Sequence, residues 1–270
     1  MAASFKAQYD SATRVYQFTY GVVEEPDAGT TVTSDLDVAA DVFMFADDQL
    51  ANLVNNNALA ELTGTLKDRI TERNNAASIS SSTYKSKLWA YPVTNDNGYF
   101  LYYNKAFLNA TDVQTMDGIL SKTSATKQFV FDFGGPWYNA AFFMGSSALS
   151  YDQEGNIQVV EYNDAAGLAS AKGAMRIAKN YNTKGLLAAS VDSNLSLFKN
   201  KDANNQPVSP TAIAGISGTW NLAALKENMG DDFATAKLPT YKAVLPGDVL
   251  EDRQMWSFTG SKLVGVKSTS

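Results

Sequence analysis

Three stretches of the chain set an aromatic side chain beside carboxylates or amides where an apolar run gives way to a helical pattern. Phe45 precedes Asp47 and Asp48, Trp137 follows Gly135-Pro136 with Tyr138 and Asn139 next to it, and Trp220 follows Ser217-Gly218. An aromatic face beside hydrogen-bonding groups suits a ring-shaped ligand with one flat C–H face and an edge of hydroxyls, as in a sugar. Glycine next to the ring lets backbone approach such a ligand closely. Core packing at strand ends explains any one of the three equally well. Their recurrence at equivalent places is what points to binding.

Other chemistries are narrowed by composition. The chain has no cysteine and no histidine, which removes thiolate nucleophiles, disulfides, Cys/His zinc sites and the His-based triad. A net charge of −6 without a basic cluster disfavours a nucleic-acid partner, whose phosphates would be repelled. The oxygen-rich turns "TNDNG" and "KDANNQ" lack calcium-loop spacing, so no metal or cofactor is expected. No run approaches the roughly 20 apolar residues of a membrane span, and "MAASFKAQYD" shows no signal-peptide pattern.

The elements that must position these residues alternate between strand and helix, which argues for an α/β protein. "RVYQFTYGVV" reads as a strand ending near Gly21, and Val42 to Phe45 as a short buried strand. A helix follows with Leu50, Leu53 and Val54 on one face. Residues 71 to 86 carry no periodicity and read as irregular surface. "KLWAYPV" and "YFLYYN" are strands, with a helix near 113 to 121. A hairpin is expected around Glu154-Gly155-Asn156. The stretch 163 to 181 reads as an amphipathic helix with Leu168, Ala171, Met175 and Ala178 inward. A helix from Asp192 to Lys199, the strand before Ser217 and late strands in "YKAVLP" and "SFTGSKLVGV" complete the pattern. In open α/β sheets ligands bind beyond the carboxyl ends of strands, where Phe45, Trp137 and Trp220 are expected to fall.

Several ordered segments resemble the extracellular solute-binding proteins of the maltose-binding type, which serve sugar ABC transporters. "ADVFMFADDQLANLVNNNALAEL" resembles the family's strand, aromatic, Asp and helix closing on "LAEL". "WAYPVTNDNGYFLYYNKAFL" is similar to its "AYP…LIYNKDLL" segment. "GGPWYNAAFFMG", "AIAGISGTWNLAALKE" and "VLPGDV…SFTGSKLVGVKSTS" follow in family order, so the likeness spans nearly the whole chain.

The resemblance implies a type II periplasmic-binding-protein-like fold, with two α/β lobes joined by crossing hinge strands and closing over a ligand. The first lobe would take residues 1–102 and 256–270, the second 103–255. It implies ligand contacts from Phe45, Asp48, Asp96, Trp137, Tyr138 and Trp220, with Trp256 and Phe258 on the return strand. An oligosaccharide of the maltodextrin type, permease subunits as partners, a monomer and an extracytoplasmic place, periplasmic or anchored as a lipoprotein, are implied with it. The family opens with a strand and loop absent here and continues past "VGV" through a long helical segment. The likeness therefore implies a chain truncated at both ends. Gly135 stands where many maltodextrin binders carry an acid. Two other readings compete: a glycoside hydrolase, which would need two carboxylates flanking the bond, and a lectin-like protein needing no hinge.

Overall fold

The β-branched and aromatic runs form strands, and the sheets they build divide between two units. The structure, a computed structural model, describes residues 2–145, 149–151, 157–160 and 163–269. One unit comprises Met1–Val93 with Lys262–Ser270, and the other Thr94–Ser261.

In the first unit a three-stranded antiparallel sheet runs Val42–Ala46, Lys262–Val266, Ala90–Pro92. Alternation sends Phe45 inward opposite Leu263, while Val42 and Met44 face out. With a period of two, the inward row meets the helix Leu50–Asn55 through Leu50 and Leu53, and Leu59 and Ala90 complete the core. Residues 15–24 form no strand, contrary to expectation. Their backbone joins no sheet, and Phe18 and Tyr20 stay exposed. A β-prone run without a ladder partner has nothing to hold it extended.

Residues 71 to 86 are more ordered than their composition implied. Asn75 caps the helix Ala76–Ser81 by accepting the Ser78 N–H at 2.9 Å. The strands Thr83–Tyr84 and Lys87–Leu88 then pair across Lys85 and Ser86, both at positive φ. Serine hydroxyls supply what apolar periodicity did not: Ser82 is fully buried and donates to the Ser78 carbonyl.

The second unit is built on a five-stranded sheet in the order Phe233–Ala236, Tyr99–Asn104, Thr211–Gly218, Lys127–Val130, Leu186–Leu187. Thr211–Gly218 is parallel to Lys127–Val130, which is parallel to Leu186–Leu187, and Tyr99–Asn104 is antiparallel to Thr211–Gly218. Residues 212–218 are all buried, as befits a central strand covered on both faces. The whole of Tyr99–Asn104 is paired inside this sheet, between Phe233–Ala236 and Thr211–Gly218.

The helix Ala165–Tyr181 is capped by Asp164, as the sequence suggests, but shows a different face. Leu168 and Met175 are exposed, and Gly167, Ser170, Gly173 and Ile177 are buried. The helix lies on strand Thr240–Val244 so closely that a Cβ at Gly173 would sit 2.6 Å from the Lys242 carbonyl oxygen. Close helix–strand approach requires a residue without a side chain at Gly173, while Leu168 and Met175 are turned outward. The strands Leu149–Tyr151 and Ile157–Val160 pair antiparallel, and the hairpin turn expected around 154–156 lies outside the described residues.

Candidate functional site

Parallel strands end at the same edge of a sheet, so the segments after Val130, Leu187 and Gly218 are neighbours. Tyr99 pairs with Gly218 and begins the antiparallel strand at that edge. Four loops thus meet there: 96–98, 131–136, 188–191 and 219–221.

In the loop after Val130, one carboxylate oxygen of Asp132 accepts the N–H groups of Gly134 and Gly135, at 3.0 and 2.9 Å. Pro136 then opens the helix Pro136–Asn139, where its missing N–H costs nothing. The turn delivers Trp137 half-buried, with Phe258 stacked on its indole at 4.2 Å and 21°. Tyr99 packs edge-on against both rings, and its hydroxyl donates to the Trp137 carbonyl at 3.1 Å. Tyr138 turns the other way. Only 8% exposed, it packs on Tyr99 and Phe131. Burial pushes its phenol pKa up, the charges of Asp192 and Asp132 push the same way, and the nearby Ser217 hydroxyl offsets part of the rise.

In the loop after Gly218, Trp220 is 47% exposed. Its indole N–H donates to Asp192 Oδ1 at 2.9 Å, and the Asn221 amide donates to the same oxygen at 2.9 Å and to Ser217 Oγ at 2.8 Å. Thr219 Oγ1 donates to the backbone carbonyl of Asp96 at 3.1 Å, which ties the loop carrying that exposed carboxylate to the same edge. Among the described residues, no ion pair involves Asp96, Asp132 or Asp192.

Of the six residues expected to contact a ligand, Asp96, Trp137, Tyr138 and Trp220 lie at this edge of the second unit. Tyr138 presents little surface and packs on Tyr99 and Phe131 instead. Phe45 and Asp48 belong to the first unit. Phe45 is 1% exposed, a core residue that packs against Gly265, where a Cβ would lie 3.0 Å from its ring. It offers no face for stacking, because it is an inward residue of a strand and not part of a turn. Asp48 is exposed, on the turn Asp47–Gln49, with a pKa raised by partial desolvation and by Asp47 and Glu25, against the opposing charge of Lys262.

Sequence reasoning passed over Asp192, read simply as a helix start, and Asn221. Their partners stand 28 and 29 residues away from Asp192, beyond the reach of local pattern. Phe258 proves to be the stacking partner of Trp137. The edge as a whole offers indole planes and carboxylate, amide and hydroxyl groups. It can hold a ligand by stacking and hydrogen bonding.

Comparison with known proteins gives the family. A family model described as bacterial extracellular solute-binding protein matches residues 1–269. No curated protein matches the chain. Among solved structures, one with acarbose superposes with a TM-score of 0.78 at 27% identity, over 98% of this chain and 64% of that one. The maltodextrin binding protein MalE1 from L. casei BL23, without ligand, gives 0.72 at 27% identity over 99% and 65%. A Staphylococcus aureus extracellular solute-binding protein in complex with maltose gives 0.61 at 20% identity over 91% and 62%. The chain thus spans just under two thirds of the length of each.

Proposed function

The chain belongs to the bacterial extracellular solute-binding protein family, and from that premise we propose that it is the carbohydrate-capturing component of an ABC sugar transporter. The ligand is an oligosaccharide of the maltodextrin type. The observation that carries this is the sheet edge where Trp137 and Trp220 stand beside Asp96, Asp132 and Asp192. Indole faces cover the apolar side of a pyranose, and carboxylates accept hydrogen bonds from its hydroxyls. The structures solved with acarbose and with maltose, and the one named for maltodextrin, support the same ligand class.

The mechanism is capture without bond breaking. No histidine or cysteine is present to act as nucleophile or proton shuttle. Asp132 and Asp192 have an oxygen committed to holding turns, which is support work and not acid–base work. The protein acts outside the cytoplasm as a monomer, tethered or free, and hands its sugar to permease subunits. Among the described residues no helix is long and apolar enough to cross a membrane.

Calorimetry with maltose, maltotriose and longer malto-oligosaccharides, beside xylo- and galacto-oligosaccharides, tests the reading. Saturable heat with the malto-series and no new reducing ends after incubation is the expected result. Silence across the malto-series would remove the ligand assignment, and turnover would replace a carrier with a hydrolase.

A further inference from the structure

The indole of Trp220 is held at two points, neither of them a usual core contact. Its pyrrole N–H is taken by Asp192 Oδ1 at 2.9 Å. Its six-membered ring lies directly on Gly218, where a Cβ would fall 2.0 to 2.4 Å from three ring carbons. Gly218 itself is fixed by Tyr102, whose buried hydroxyl donates to its carbonyl at 2.7 Å. Its φ of −83° is open to any residue, so the glycine serves the ring's approach and not a special backbone shape.

Asp192 also binds the turn on which Trp220 rides. Asn221 donates to Asp192 Oδ1 and to Ser217 Oγ, joining the acid to the end of the central strand. Asn221 is 6% exposed and Ser217 fully buried, whereas Trp220 is 47% exposed. An exposed indole would ordinarily sample several rotamers, and ordering it on ligand binding costs affinity. Here the cost is met within the free protein.

We propose that Asp192 is a positioning residue which, with Gly218 as the seat, clamps the Trp220 indole in the orientation that receives a sugar. The inference rests on the sugar-binding reading above. Because its N–H is already spent on Asp192, Trp220 contributes a face and not a hydrogen bond to the ligand. Specificity at this position is therefore for a flat apolar patch, and the polar discrimination falls to other groups.

The test uses the whole 270-residue chain labelled with ¹⁵N. There are four tryptophans, and loss of a signal in Trp220→Phe assigns the Trp220 indole resonance. Asp192→Ala should move that resonance, speed its exchange with water and weaken maltotriose binding about tenfold. Asp192→Asn keeps an acceptor oxygen and should restore affinity to within about threefold of wild type. Gly218→Ala leaves the acid intact but displaces the ring, and should cost a similar factor. An unmoved Trp220 resonance in Asp192→Ala would overturn the clamp. So would unchanged affinity in Asp192→Ala and Gly218→Ala while wild type binds. If wild type binds none of the sugars yet the resonance responds, the sugar reading falls and the clamp stands.

Discussion

Phe45 and Trp220 occupy the same place in the chain's local grammar, an apolar run, an aromatic, polar groups and a helix, yet their environments are opposite. Phe45 is 1% exposed and packed among Leu50, Leu53 and Leu263, whereas Trp220 is 47% exposed and rests on bare backbone. Position relative to the end of the strand separates them. Phe45 is the fourth residue of Val42–Ala46 and still obeys the alternation that sends it inward. Trp137 and Trp220 fall beyond their strands, inside the first turn of the helical segment that follows. Phe45 is core because it sits on the inward face of the pleat, whereas Trp137 and Trp220 are set by the turns that follow their strands.

The sharpest way to break this contrast is Phe45→Ala. Removing a fully buried ring should cost about 3–5 kcal/mol, read as early loss of the first unit's transition in denaturant unfolding. A cost below 1 kcal/mol would deny that the ring is structural. Trp220→Ala and Trp137→Ala should reverse the pattern. Each should weaken malto-oligosaccharide binding about tenfold, or 1.4 kcal/mol, with little change in unfolding midpoint. Calorimetry showing undiminished affinity in both would refute the site assignment.

A smaller effect is expected at Asp48, beside Phe45 in sequence but exposed. Its raised pKa means that the folded state holds the proton more tightly than the unfolded chain does. The ionised carboxylate therefore lowers stability at neutral pH, and the penalty fades as pH falls through the folded-state pKa toward its ordinary value of 3.8. Asp48→Asn should stabilise the fold at pH 7 by less than about 1 kcal/mol for so exposed a group, read as a small rise in the thermal midpoint. The gain should vanish in acid. A gain that grew on acidification would contradict the assigned sign.

Much of this frame was legible in the sequence, and the failures have physical causes. The central strand Thr211–Gly218, Tyr99–Asn104 and the turn at Gly135-Pro136 follow from apolar runs and their punctuation. The inward face of Ala165–Tyr181 differs from the expected one because hydrophobicity favours Leu168 and Met175, while the neighbouring strand comes so close at Gly173 that no side chain fits there. Residues 15–24 have strand composition but no ladder to join among the described residues. Around the site, the rings announce themselves by type, whereas Asp192 acquires its role only when the fold carries it to Trp220. Composition reveals the surfaces that could touch a ligand, but long-range hydrogen bonds decide how they are aimed.

The stack of Phe258 on Trp137 makes that indole one-sided. A guest can lie on it as on a floor, but cannot be gripped by it as by a wedge driven between two residues. Trimming Phe258 would uncover the reverse of the indole and create a slot of aromatic thickness that the natural chain keeps filled.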